Sequence, residues 1–108
     1  MAHSELRILA EKFDKALIDK ELQLIPDKEE PCWSRALPPS RMNKSISQQI
    51  EYWCGLFRCK KEGKNKLFKM GYAIQIVIFI SISEEVELSG SIINLLSAYN
   101  IGLILKVV

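Results

Sequence analysis

The sequence predicts an α/β domain, with α+β as the alternative, in which helices pack on one mixed sheet. Two observations carry this reading. Residues 71–83 read as a strand whose Ala73, Ile74, Ile76, Val77, Ile78, Phe79 and Ile80 run nearly without interruption, suited to a central strand covered on both faces, and an amphipathic segment and a second apolar run at 101–108 follow it. A third is size and composition: 108 residues, 48% hydrophobic and 26% charged with net charge +2, match one globular domain over 1–108.

Over residues 4–21, Leu6, Leu9, Ala10, Phe13, Ala16 and Leu17 recur at spacings of three and four, which predicts an N-terminal amphipathic helix capped by Ser4. Glu11 with Lys15 and Lys15 with Asp19 stand four apart on its polar side. All four prolines fall in residues 26–45 without any sustained period, predicting a long Pro-containing loop that serves for binding or as a linker. Trp33 within it must pack on the body or on a partner, since its apolar area is otherwise exposed. Ser45 suits the cap of a short helix over 46–52, with a strand as the competing reading.

Residues 52–60 and 67–83 are rich in aromatic and β-branched side chains, and the polar run Lys61-Glu62-Gly63-Lys64-Asn65-Lys66 between them predicts an antiparallel hairpin. Ser83 then caps a helix. Glu84, Glu85 and Glu87 fall in its first turn, opposing the positive end of the helix dipole, and they read either as a helix N-terminus or as a site. Leu88, Ile92, Leu95, Leu96 and Tyr99 form the apolar stripe, and Asn100 suits the left-handed position after the last turn. The closing segment, 101–108, is apolar except for Gly102 and Lys106, reads as another buried strand and completes a strand-helix-strand unit whose strands run parallel through a right-handed crossover.

The longest apolar run, 72–82, spans about 11 residues against the roughly 20 that a membrane helix requires, so no membrane partner is expected. Charges are interspersed through residues 1–22, which predicts no export signal. Three cysteines, Cys32, Cys54 and Cys59, leave one unpaired in any intramolecular scheme, and a reduced, cytoplasmic setting is expected. The single histidine, His3, lies near the terminus, so histidine-based acid–base or triad chemistry is not expected. Cys54 and Cys59 have cations beside them but no imidazole, and read as structural thiols. Only one cysteine pair is close in sequence, which does not match zinc-ligand spacing, so neither metal nor cofactor is expected.

Pro26-Asp27 with the later Glu62-Gly63-Lys64 resembles the PD-(D/E)xK nuclease motif, which implies metal-dependent phosphodiester cleavage by converging carboxylates and a lysine. That family places the motif on a core strand, whereas here Glu62 and Lys64 stand in the polar reversal. Glu85 and Glu87 are a second choice, without a lysine two positions on. Residues 86–102 are similar to the first helix of ACT-type regulatory domains, which follows a strand and ends in an Asn-Ile step. Only one strand follows here, so the second half of that family's βαββαβ unit is missing and no ligand residues transfer.

The clearest surface feature is cationic. Arg58, Lys60, Lys61, Lys64, Lys66 and Lys69 surround one reversal with Glu62 as the only acid among them, and Phe57, Phe68 and Tyr72 are near enough in sequence to add stacking. This predicts a nucleic-acid-binding domain that lays a basic hairpin on phosphates; the competing view is a solvated hairpin tip. Two other functions remain open: a non-catalytic interaction or regulatory domain, homodimeric through its apolar edge strands, and a PD-(D/E)xK-like nuclease.

Overall fold

The computed structural model describes residues 2–12, 14–28, 32–58 and 60–108. In chain order they form β1 (His3–Leu9), α1 (Lys15–Leu22), β2 (Trp33–Ala36), α2 (Ile46–Leu56), α3 (Lys61–Lys69), β3 (Ala73–Ile80), α4 (Gly90–Ala98) and β4 (Ile101–Val107). The sheet order is β2-β1-β3-β4, with β1 antiparallel to both β2 and β3, and β3 parallel to β4. The α/β class, the mixed sheet and the terminal strand-helix-strand unit are therefore as the sequence predicts.

The N-terminal helix is not. Residues 3–9 are a strand because His-Ser-Glu-Leu-Arg-Ile-Leu alternates: Ser4, Leu6 and Ile8 are buried, while Glu5 and Arg7 lie half-exposed on the other face. Leu6, Leu9 and Ala10 fit a helical stripe equally well over so short a stretch. Pairing on both sides, with β2 and β3, satisfies the backbone of β1 and decides the matter. Helix begins only after Asp14, whose carboxylate accepts from the Leu17 amide at 3.3 Å, and ends at Gln23 in the left-handed region at φ 54°. The expected Lys15–Asp19 pair forms at 3.8 Å. Phe13 lies outside the described residues.

Within the expected 26–45 loop, Trp33 is fully buried on β2 opposite Ile8, and a 3-10 turn follows at Pro39–Arg41. The Ser45 cap is realised as a reciprocal capping box with Gln48, but α2 runs on to Leu56. The expected hairpin is instead the end of α2 followed by α3. Its presumed turn residue Gly63 is the contact point between α3 and α1, where a Cβ would lie 2.1 Å from the Glu21 carbonyl oxygen. A lysine- and glutamate-rich segment with one such glycine makes a helix that crosses another closely, and only the partner helix reveals that use of glycine.

In β3, Ile74, Ile76 and Ile78 face the helices and are buried. The other face of β3 is not covered by helices: Gln75 and Phe79 are half-exposed there, although Val77 between them is fully buried. The glutamates do not open the last helix. Its cap is Ser89, accepting from the Ile92 amide at 3.3 Å, and the Ser81 amide donates to the Glu84 carboxylate at 2.7 Å in the preceding connection. That hydrogen bond holds the Glu84 carboxyl below its ordinary range. Asn100 takes the left-handed conformation expected of it, at φ 55°.

The core lies between the sheet and the helices. Leu6, Ile8, Trp33, Ile74, Ile76 and Ile78 of the sheet meet Ile18 and Leu22 of α1, Ile50 and Trp53 of α2, Leu67 of α3, and Ile92 and Leu96 of α4. One polar network is sealed within it. Ser4 Oγ donates to Gln49 Oε1 at 2.8 Å and accepts from Trp53 Nε1 at 2.9 Å, while Gln49 Nε2 donates to the carbonyls of Ala2 and Lys44. With its partners satisfied, this network pins the start of β1 to α2. Among the described residues, no helix is long and apolar enough to cross a membrane.

Candidate functional site

The six basic residues do not share one face. Arg58 follows α2; Lys60 caps α3 and its Nζ donates to Gln23 Oε1 at 2.7 Å; Lys66 pairs with Glu21 at 3.0 Å. Lys61 and Lys69 are exposed at opposite ends of α3. Lys64 points inward: its Nζ donates to the Tyr99 carbonyl at 2.5 Å and lies 5.9 Å from the Tyr99 ring centre. It neutralises the carbonyl end of α4, where a cation is favoured by the helix dipole. The amphipathic winding of α3 is what spreads these cations around the helix, where a hairpin would have gathered them at one tip. Arg58, Lys60 and Lys61 remain together, lining a groove of about 500 Å³ with Glu21, Gln23 and Glu62.

Between α2 and α4 lies a smaller cleft of about 330 Å³, lined by Glu51, Cys54, Arg58, Ser91, Leu95 and Tyr99 among others. Burial, reinforced by the Glu51 carboxylate and partly offset by Lys64, pushes the Cys54 thiol up to about 11. Burial likewise lowers the Lys64 ammonium from its ordinary value, with Cys54 opposing the shift. A thiol this hard to ionise is a packing group, not a nucleophile. Cys32 is half-exposed and, like Cys54, unbonded; Cys59 lies outside the described residues.

The raised thiol has a consequence for stability. Its folded pKa exceeds the ordinary value of 9.0, so the contribution is present below pH 9 and is lost as pH rises toward about 11. The loss is roughly 2–3 kcal/mol at 1.36 kcal/mol per unit. Lys64 acts oppositely, because its depressed ammonium releases its proton in the folded chain while the unfolded chain still holds it, so its contribution rises with pH until the unfolded lysine titrates. Urea midpoints between pH 8 and 11 should therefore show a steeper alkaline decline in the wild type than in Cys54→Ala; parallel curves would contradict the assignment.

The nuclease-like residues stay apart. Asp27 accepts from the Ala36 amide beside β2, Glu62 is exposed on α3, Lys64 is committed to Tyr99, and Glu85 and Glu87 are exposed before α4. Among the described residues no group of His, Cys, Asp or Glu is placed to hold a metal.

The remaining candidate is the edge of the sheet. Its two edges differ sharply. β2 is four residues long and runs into Leu37-Pro38-Pro39, a short edge closed by residues that block further pairing. β4 is seven residues long, contains no proline and, among the described residues, is paired only with β3. It exposes apolar side chains on both faces. On the helix side, Leu105 and Val107 are 52% and 61% exposed; on the open side, Ile104 is 36% exposed. Val108 and Ile82, next to the same end of the sheet, are also exposed. Lys106 is the one charge on the strand.

Beside this edge, the helix-free face carries a small platform that helical periodicity concealed. His3 stacks on Phe79 with ring centres 5.3 Å apart, the Arg7 guanidinium sits 5.8 Å from the Phe79 centre, and Arg7 pairs with Glu5. The period-two alternation of residues 3–9 was the signal that could have found it. Comparison with family models, curated proteins and solved structures returns no match, leaving the chemistry of the surface itself as the guide to function.

Proposed function

We propose that the chain is a non-catalytic interaction domain that binds a partner by strand addition along β4. The observation that supports this reading most directly is the contrast between the edges: β2 is short and ends in prolines, whereas β4 offers a long, regular row of unpaired backbone groups flanked by exposed apolar side chains. Backbone hydrogen bonds supply attraction in such a contact, and alternate side chains supply selectivity.

The test is selection of extended peptides. A random octapeptide display library is panned against the full chain immobilised at low density, where each molecule presents a free edge. Enriched peptides should alternate apolar side chains and bind at least about tenfold more weakly to Leu105→Lys, a change at an exposed position that places a charge on the docking face. Enrichment indifferent to that substitution would remove β4 from the reading.

A second reading keeps the expectation of nucleic-acid binding, now resting on Arg58, Lys60 and Lys61 along one groove. Glu21 and Glu62 on the same wall weaken its field toward phosphate. A labelled oligonucleotide that binds the chain with a strong salt dependence, and loses affinity on Lys61→Glu, would favour this reading over strand addition.

A further inference from the structure

We propose that the partner of β4 is a second copy of the chain, added antiparallel across a two-fold axis that passes between the two Ile104 residues. The proposal rests on the reading of β4 as a docking edge and names its occupant. A two-fold axis normal to the sheet continues the sheet through β4 of each copy and keeps the helices of both on one side. It also places one residue directly opposite itself, so the choice of register is the choice of that residue.

Three observations select Ile104. It is the midpoint of Ile101–Val107, so only this register pairs the strand over its whole length; moving the centre to Leu103 or Leu105 leaves residues unpaired at the ends. Lys106 then faces Gly102 of the other copy, which has no side chain to compete for the space. The two ammoniums stand about 14 Å apart along the strand at ~3.4 Å per residue, beyond the screening length of about 8 Å in physiological salt. A centre at Lys106 would oppose the two ammoniums directly, and one at Leu105 would set each against Ile104.

The apolar surface is also matched to itself. Leu105 and Val107 project where the helices of their own chain leave them exposed, whereas Leu103 is half-buried and Ile101 buried. The register brings Leu105 beside Leu103, and Val107 beside Ile101, of the other copy, so the bare end of each strand is set against the covered end of the other. Ile104 meets Ile104 on the open face.

Sedimentation velocity on the full chain decides the matter. The wild type should sediment at twice its 12.4 kDa, and Ile104→Lys and Ile104→Glu should each sediment as monomers with unchanged far-ultraviolet circular dichroism. An equimolar mixture of the two variants should recover the dimer, because only residues that face each other across the axis restore it as an opposite-charge pair. Should either variant fail to fold, amide exchange on the wild type replaces it: β4 amides should become at least tenfold better protected as concentration crosses the dimerisation range. A monomeric wild type overturns the second copy. If panned peptides still depend on Leu105 in that case, strand docking survives and only the occupant is wrong; if they do not, both fall. A dimer that ignores both charges at position 104, or a mixture that stays monomeric, overturns the axis.

Discussion

Gly63→Ala is expected to destabilise the fold by about 3 kcal/mol, the upper part of the range for overpacking a close contact. In an exposed helix the same change would stabilise by up to about 1 kcal/mol, because alanine forms helix better than glycine. The sign is reversed here because the new Cβ would lie 2.1 Å from the Glu21 carbonyl oxygen and 2.9 Å from its carbon, both backbone atoms that cannot rotate away. Helices α1 and α3 would have to separate, which would pull Lys66 from Glu21 and Lys60 from Gln23 as well. Urea unfolding followed by circular dichroism measures the change. A variant as stable as the wild type would mean that α1 and α3 do not cross at this glycine.

Lys64→Glu should be comparably severe, at about 4 kcal/mol or more, since it leaves the Tyr99 carbonyl without its donor and buries an unpaired carboxylate. The carboxylate would also face the negative end of α4, the wrong sign for that position. Lys64→Met keeps most of the apolar stem and removes only the donor, so about 1–2 kcal/mol is expected. Lys61→Glu, one turn away and exposed, should fall within about 0.5 kcal/mol of the wild type. This ordering separates a lysine used inside the fold from one available to a ligand. Equal effects at positions 61 and 64 in the same urea titration would show that Lys64 is not anchoring α4.

Lys64 also illustrates what a sequence conceals. By letter it belongs to a run of six cations around a polar segment, and charge alone suggests a phosphate-binding surface. Whether a lysine on a helix faces water or a neighbouring helix depends on what packs against that helix, and the carbonyl it satisfies lies 35 residues later in the chain. Residues 61–69 were equally ambiguous in form: glycine and asparagine suit a turn, yet in α3 the glycine is the contact with α1 and the asparagine is exposed. At the N-terminus, one short segment satisfied two periods. A strand of seven residues is less than two helical turns, so three apolar positions can fit either pattern.

The later part of the chain was far more legible. The apolar run of β3, the left-handed Asn100 and the closing strand each carry a local signature, and the structure pairs Ile74 with Ile101 through Ile80 with Val107 as a parallel unit. The helix start moved, from Ser83 to Ser89, because both serines precede plausible first turns and the Glu84 carboxylate satisfies the Ser81 amide before the helix begins; β3, expected to be covered on both faces, carries helices on one, and the closing strand, expected to be buried, is largely exposed.

By itself the sequence determined the class, the parallel strand-helix-strand unit and the apolar character of the final strand, since these depend on short-range periodicity and on residues with strong conformational preferences. The tertiary structure alone decided that residues 3–9 are a strand, that the cationic segment is a helix turned partly inward, and that helices cover only one face of β3 and leave β4 largely exposed. Those outcomes depend on which surfaces meet: hydrogen-bond partners for β1, a carbonyl for Lys64 and a neighbour on only one side of β4 all come from residues remote in the chain.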